Sequence, residues 1–144
     1  PRVLLAALVG PLLCPALAPP AIRLTLVRLA EAPPVHAEVA RFPADWPGGQ
    51  FALIVLGEVG YSLDPADWLQ VIAQSVASLT YDGGLLTCHW KHPIAGCPQD
   101  GREVHRMLEK HLPLYPLFCH EEADFIMAYW SAQPSVVDLD ETCL

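Results

Sequence analysis

Basic residues are scarce in this sequence. It has 8 Lys and Arg against 16 Asp and Glu, which gives a formal net charge of −8 over 144 residues. Because an acidic surface repels phosphate backbones, this balance argues against a nucleic-acid partner. A chain that is both acidic and 53% hydrophobic is expected to bind a small molecule instead.

The motifs of several common chemistries are also missing. The five cysteines are odd in number and scattered, with no Cys-x-x-Cys pair, so we expect reduced cysteines in a cytoplasmic protein. The sequence has neither a Gly-x-Ser-x-Gly nucleophile motif nor a Walker phosphate-binding motif. His89 and His92, with Cys88 and His105 as further candidates, form no compact tetrahedral set, and no metal site is predicted.

The long apolar run over residues 3–18 ends in Ala16-Leu17-Ala18 and has the outline of a secretory signal. However, Pro19 would hinder cleavage, and Pro11 and Pro15 would break the helix of a signal core. The run is also shorter than the ~20 residues of a membrane span. We therefore expect a buried strand followed by a helix and no membrane segment. A secreted protein with a cleaved amino terminus is the alternative.

Several short runs are apolar at nearly every position, as expected for strands that helices cover on both faces. The clearest run covers residues 51–56, and the weakest covers residues 35–39. Two final strands are expected near the carboxyl end, joined by a turn at His120-Glu121-Glu122. The predicted strands cover residues 2–7, 23–27, 35–39, 51–56, 84–89, 117–119 and 124–130.

Residues 65–79 have apolar side chains mostly three and four positions apart, which predicts an amphipathic helix. Asp64 is a suitable N-cap, with Pro65 at the first helical position. The strands on either side complete a βαβ unit, which predicts parallel pairing with a right-handed crossover. A second helix is predicted over residues 101–111, and the length of the chain favours one domain over residues 1–144.

A resemblance to a known family rests on the passage Phe51-Ala-Leu-Ile-Val-Leu-Gly-Glu-Val-Gly-Tyr61. It resembles the fourth-strand motif of nodulation-type N-methyltransferases, in which a Phe-Asp-Leu-Ile-Val strand ends in Ser-Glu-Val and an aromatic pair. The helix from Pro65, the strand ending in His89-Trp90-Lys91-His92-Pro93 and the closing strand to Trp130 follow in the same order. The likeness covers residues 51–130.

The resemblance implies an α/β fold, namely the Rossmann-like three-layer sandwich of class I methyltransferases with a mostly parallel sheet. Residues 51–134 would be its substrate-side half, and residues 1–50 a shortened donor-binding half. Only six residues lie between Arg28 and Val35, too few for a crossover helix. We therefore expect that the helix between the second and third strands is missing or that these strands connect differently.

The resemblance also implies S-adenosylmethionine as the cofactor, although the donor-binding motif is degraded. Where the family has an acidic residue and glycines after the first strand, this sequence keeps only Gly10. Arg28 replaces a carboxylate that accepts hydrogen bonds from ribose, and a guanidinium has no acceptor. Glu38 matches the acid that binds the adenine amino group, with a solvated loop carboxylate as the alternative. The predicted donor-binding residues are Ala7, Gly10, Arg28, Glu38, Val39 and Gly57.

Glu58 is the first candidate for catalysis, because it follows the clearest strand at the edge where open α/β sheets place ligands. The alternative for Glu58 is a helix-capping carboxylate. His89 is the second candidate, since an imidazole can take a proton from an amine or hydroxyl near neutral pH. Its alternative is a histidine whose hydrogen bonds are satisfied within the protein. Tyr61, Trp90 and His92 are predicted to contact the methyl acceptor, with an aromatic side chain of the core as the alternative for Tyr61.

Two functions fit these residues. The first is S-adenosylmethionine-dependent methyl transfer to a small amine or hydroxyl acceptor. The second is a catalytically inactive methyltransferase-like domain that acts as a binding or scaffold protein. Under this second hypothesis, the domain is expected to form a homodimer through apolar surface that the missing helix leaves exposed.

Overall fold

The computed structural model describes residues 12–16 and 35–135, with side chains described from residue 40 onward. Its helices and strands are β1 (Leu12–Ala16), β2 (Val35–Val39), β3 (Phe51–Gly57), a 3-10 turn (Gly60–Ser62), α1 (Pro65–Ala77), β4 (Leu79–Trp90), α2 (Gly101–His111), β5 (Tyr115–Glu121) and β6 (Phe125–Ser131). Neither helix in this described part is long and apolar enough to cross a membrane.

The strands β1 and β2 form a small parallel sheet, with Leu12 opposite Val35 and Ala16 opposite Val39. The strand predicted at 35–39 is therefore confirmed. The helix expected after the first apolar segment is wrong over β1, because these residues pair as a strand. Pro15 lies within β1, and proline is tolerated in an edge strand but interrupts a helix. The strands predicted at 2–7 and 23–27, and the segment expected to lack a helix, lie outside the described residues.

The main sheet has four strands in the order β3-β4-β6-β5. β3 and β4 are parallel, and α1 connects them, so the predicted βαβ unit is confirmed. β6 is antiparallel to both β4 and β5. The expectation of a mostly parallel sheet is wrong for these four strands. Only residues 122–124 separate β5 from β6, and a parallel crossover needs a connection of a dozen residues or more.

Both helices pack on one face of this sheet. Trp68 of α1 is fully buried, and its indole N–H donates to the backbone oxygen of Val104 in α2 at 3.2 Å. Alternate residues of the strands point to the helices, as the pleat requires. The buried core contains Ile54, Leu56, Trp68, Val71, Ile72, Leu85, Val104, Leu108, Ala128 and Trp130.

Each helix begins at an aspartate cap. The Asp64 carboxylate accepts hydrogen bonds from the backbone N–H groups of Ala66 and Asp67, both at 2.9 Å. Asp100 and Glu103 form a capping box at the start of α2. Caps of this kind satisfy backbone N–H groups that the helix leaves unpaired. The predicted starts at Pro65 and Gly101 are confirmed, whereas α1 ends at Ala77, before the predicted end.

The first residue of α2 packs directly on the end of β4. A Cβ atom added to Gly101 would lie 2.0 Å from the backbone oxygen of Trp90. The contact is with backbone, which cannot move aside as a flexible side chain can. A glycine at this position therefore lets the helix start lie against the strand end.

We expect Gly101→Ala to destabilise the fold by about 1–3 kcal/mol, as overpacking does, even though alanine favours helices over glycine. Urea unfolding would measure the change. Gly48→Ala is the matched control, because an added Cβ there meets nothing within 4 Å. A gain in stability for Gly101→Ala would show that helix propensity outweighs the contact with Trp90.

Candidate functional site

The carboxyl ends of the parallel strands β3 and β4 meet at one edge of the sheet. Glu58 directly follows β3, and its backbone N–H donates to the oxygen of Cys88 in β4 at 2.9 Å. The backbone of Glu58 has a φ of 58°, in the left-handed region that residues other than glycine seldom occupy. Such conformations persist only where the surroundings hold them, and they cluster at functional sites.

The Glu58 side chain bridges this edge. One carboxylate oxygen accepts the backbone N–H of Trp90 at 2.8 Å, and the other accepts the phenol O–H of Tyr61 at 2.6 Å. The residue is only half-buried. Because an ionised carboxylate has about four acceptor positions, both oxygens can accept a further hydrogen bond. The structure thus fixes the orientation of Glu58 and leaves capacity for a ligand.

Tyr61 lies in the 3-10 turn and is buried. Burial raises the pKa of its phenol well above the ordinary value, and the hydrogen bond to Glu58 and the charge of that carboxylate raise it further. The phenol therefore keeps its proton and acts as a donor to Glu58 at neutral pH.

His89 is fully buried on the side of the sheet that the helices cover. Its Nε2 accepts the backbone N–H of Gly60 at 3.1 Å, and its Nδ1 lies 3.2 Å from Nε2 of His105. Because Nε2 is an acceptor, the proton of a neutral ring is on Nδ1, which donates to His105. Both ring nitrogens of His89 are thus engaged within the protein, and its role as a base remains a prediction.

The two buried histidines are held in the neutral form. Burial and, to a smaller extent, the neighbouring His105 together lower the pKa of His89 to about 3. Burial also lowers the pKa of His105 to about 4, although the charge of Glu121 acts in the opposite direction. A neutral imidazole is what the hydrogen bond from Gly60 requires.

An exposed aromatic pair lies at the end of β4, where the backbone N–H of Trp90 donates to Glu58. Trp90 is 40% exposed, and its ring centroid lies 5.0 Å from that of His92 with a tilt of 57°. His92 is also exposed, and its Nε2 lies 3.0 Å from a carboxylate oxygen of Asp124. At the edge where an acceptor was predicted, Glu58 is therefore hydrogen-bonded to Tyr61 and to the backbone of Trp90, and His92 lies against the Trp90 ring.

Two buried polar residues at this edge were not among the site residues predicted from the sequence. Gln99 is 5% exposed, and its amide donates to the backbone oxygens of Gly60 and Leu63 at 3.3 and 2.8 Å. Lys91 is 6% exposed, with its ammonium 2.6 Å from the carboxylate of Glu121. Only tertiary packing buries these side chains, so no local pattern indicates them.

The predicted donor-binding residues are only partly described. Ala7, Gly10 and Arg28 lie outside the described residues. Glu38 and Val39 belong to β2, opposite Pro15 and Ala16, and only their backbone is described. Gly57 is the last residue of β3 and adjoins Glu58. In the described ranges, no group of three or more His, Cys, Asp or Glu residues could hold a metal ion.

Comparison with known structures identifies the family. A Pseudomonas syringae protein assigned as a methyltransferase is 39% identical, and its crystal structure matches with a TM-score of 0.71 over 83% of this chain and 71% of that one. The chain belongs to the S-adenosylmethionine-dependent methyltransferases. The resemblance inferred from residues 51–130 is confirmed, and so is the methyltransferase-like α/β fold.

This methyltransferase also shares its fold with the N-methyltransferase NodS from Bradyrhizobium japonicum WM9. NodS is 18% identical, with a TM-score of 0.70 over 83% of this chain and 71% of NodS. NodS in complex with S-adenosylhomocysteine matches at 19% identity with a TM-score of 0.69, over 83% of this chain and 65% of NodS. No model of a protein family matches the chain, nor does any curated protein.

The buried histidines predict a loss of stability in acid. Their pKa values are lower in the folded protein than the ordinary 6.5, so the unfolded chain binds more protons below that pH. The contribution of the neutral histidines to the free energy of unfolding is fully present above about pH 6.5 and is lost as the pH drops toward 4. At pH 5 each histidine should lower the free energy of unfolding by about 2 kcal/mol relative to pH 7.5.

Urea unfolding at pH 7.5 and pH 5.0 would measure this difference in the wild type and in His105→Gln. The glutamine can still accept a hydrogen bond from His89 but does not titrate, so the acid-induced loss should shrink by about 2 kcal/mol. His120→Gln, at an exposed histidine, should leave the loss unchanged. An equal loss in all three proteins would contradict the assignment.

Proposed function

We propose that this chain transfers a methyl group from S-adenosylmethionine to the nitrogen of a small amine, and that Glu58 contacts that amine. The observation that carries the proposal is the Glu58 carboxylate itself. It is held in place by Trp90 and Tyr61 and retains acceptor capacity at the edge where ligands bind in α/β sheets.

Amines suit this arrangement better than hydroxyls. The Glu58 carboxylate can accept a hydrogen bond from the N–H of an amine and take up the proton that the nitrogen releases after attack. A hydroxyl has to be deprotonated as it reacts, and His89, the candidate base, has both ring nitrogens engaged. The geometry therefore favours a nitrogen nucleophile, which attacks through its lone pair and can pass its proton to the Glu58 carboxylate afterwards.

The exposed rings of Trp90 and His92 provide a surface for the remainder of the acceptor. An aromatic face attracts positive charge, such as the charge that develops on a nitrogen as it is methylated. The Glu58 carboxylate accepts the backbone N–H of Trp90, and the Asp124 carboxylate lies 3.0 Å from Nε2 of His92. We infer that these two rings contact the carbon atoms next to the reacting nitrogen. Tyr61 is buried, so its proposed role is to hold Glu58.

The chemistry of the described residues fits the proposed donor. S-adenosylmethionine supplies a methyl group already activated on a positively charged sulfur, so the protein needs mainly to align the reactants. A carboxylate at this edge suits a cationic donor. Gly57, Glu38 and Val39 remain the candidates for contact with it, together with Ala7, Gly10 and Arg28. The three-layer architecture and a cytoplasmic location are further expectations of the proposal.

The inactive scaffold is the weaker alternative. A chain without catalytic function has no need to hold a carboxylate in a left-handed backbone conformation with two hydrogen bonds. Backbone in this region costs on the order of 1–3 kcal/mol. The retention of this arrangement favours a working site.

Calorimetric titration with S-adenosylmethionine and S-adenosylhomocysteine tests the donor directly. We expect binding in the micromolar range, about −8 kcal/mol. Absence of heat up to millimolar ligand would contradict the proposal and restore the inactive alternative. Because this titration needs no acceptor, it precedes any search for one.

Glu58→Gln should slow methylation of a panel of small amines by about 10²-fold or more, since an uncharged amide cannot take up a proton. Donor affinity should change little. The control is Glu109→Gln, at an exposed carboxylate of α2. Radiolabelled methyl transfer to amines and to the corresponding alcohols would measure both activity and preference. Faster methylation of the alcohols would overturn the choice of nitrogen.

A further inference from the structure

The 3-10 turn that carries Tyr61 rests on the core through Gly60. A Cβ atom added there would lie 2.6 Å from Cγ1 of Val104 and 3.1 Å from both Nε2 of His89 and Cζ2 of Trp68. No side chain fits between this backbone and the core. The position of the turn is therefore set by contacts with the backbone of Gly60 itself.

Two buried side chains hold that backbone from opposite directions. Nε2 of His89 accepts the N–H of Gly60 at 3.1 Å, and the amide of Gln99 donates to the oxygen of Gly60 at 3.3 Å. His89 comes from the end of β4, and Gln99 directly precedes the cap of α2. The turn is thus fixed to a strand and to the start of a helix.

Gln99 also holds the turn on both sides of Tyr61. Its amide donates to the oxygen of Leu63 at 2.8 Å, and its backbone N–H donates to the oxygen of Tyr61 at 3.4 Å. Loss of the amide would leave buried carbonyl oxygens without this donor, which is costly in a dry interior. The turn would then shift toward water, and Tyr61 would move with it.

We propose that Gln99 and His89 are positioning residues of the acceptor site. They hold the Gly60–Ser62 turn so that the phenol of Tyr61 stays 2.6 Å from the Glu58 carboxylate and keeps that carboxylate directed at the acceptor. Neither residue touches the acceptor. This inference rests on the proposed function, because it assumes that Glu58 contacts the amine.

The test uses Gln99→Met, which keeps the length of the side chain and removes its hydrogen bonds. If the turn loosens, Tyr61 gains water and separates from Glu58, so its phenol should ionise at a pH lower by about one unit or more. NMR of ring-labelled tyrosine, with the Tyr61 signal assigned from Tyr61→Phe, would follow the ionisation. Methyl transfer should fall about 10- to 100-fold in kcat with KM and donor affinity nearly unchanged.

Gln133→Met is the matched control. The Gln133 amide also donates to a backbone oxygen, that of Tyr81 at 2.9 Å, but at an exposed contact away from the turn. In this variant the Tyr61 phenol should ionise at the same pH as in the wild type, and kcat should be unchanged. For His89, the conservative change His89→Gln retains an acceptor for Gly60 and should preserve both readouts better than His89→Leu.

An unchanged Tyr61 ionisation in folded Gln99→Met would overturn the proposal, whatever happens to kcat. If that variant fails to fold, Gln99→Asn, with a shorter amide, gives the same comparison. A third outcome is that the wild type methylates no amine while the Tyr61 phenol of Gln99→Met still ionises at a lower pH than in the wild type. That result would support the positioning role and contradict the proposed function. The two ideas therefore fail separately.

Discussion

The arrangement of the site depends on the hydrogen bonds that the Glu58 carboxylate accepts from Trp90 and Tyr61. These bonds connect the loop after β3 and the 3-10 turn that follows it to the end of β4, where Trp90 lies 32 residues further along the chain than Glu58. A charged acceptor strengthens such bonds relative to neutral pairs. They also offset the strain of a left-handed backbone at Glu58, so that one residue organises the edge at which we propose that the acceptor binds.

Behind this carboxylate, the protein places polar groups where solvent cannot reach. His89, His105 and Gln99 are each buried, yet each makes hydrogen bonds to other protein groups. Leaving a buried polar group unpaired costs free energy, and a paired network admits few alternative geometries. The rigidity of the turn therefore arises from polar groups within an otherwise apolar core.

Sequence reasoning predicted the parts of the fold that local chemistry decides. Pro65 and Gly101 start helices because capping aspartates precede them, and Phe51–Gly57 is a strand because nearly every residue is apolar. The antiparallel pairing of β6 with β4 could not be predicted, since it depends on which strand the chain returns to. Likewise, the burial of Gln99 results from packing between α2 and the turn, and a single glutamine before a cap gives no sign of it.

The degraded donor motif is compatible with methyl transfer for a physical reason. Displacement at a sulfonium methyl needs alignment more than acid–base or covalent assistance, and in the proposed mechanism Glu58, Trp90 and Tyr61 provide that alignment. If Arg28 stands where the family has a ribose-binding carboxylate, as the resemblance implies, a ground-state contact with the donor is lost and donor binding weakens without any effect on the reacting atoms. An enzyme altered in this way should therefore need a higher donor concentration and keep its turnover rate once the donor is bound. Loss of Glu58 should instead lower the turnover rate and leave the affinity for the donor nearly unchanged.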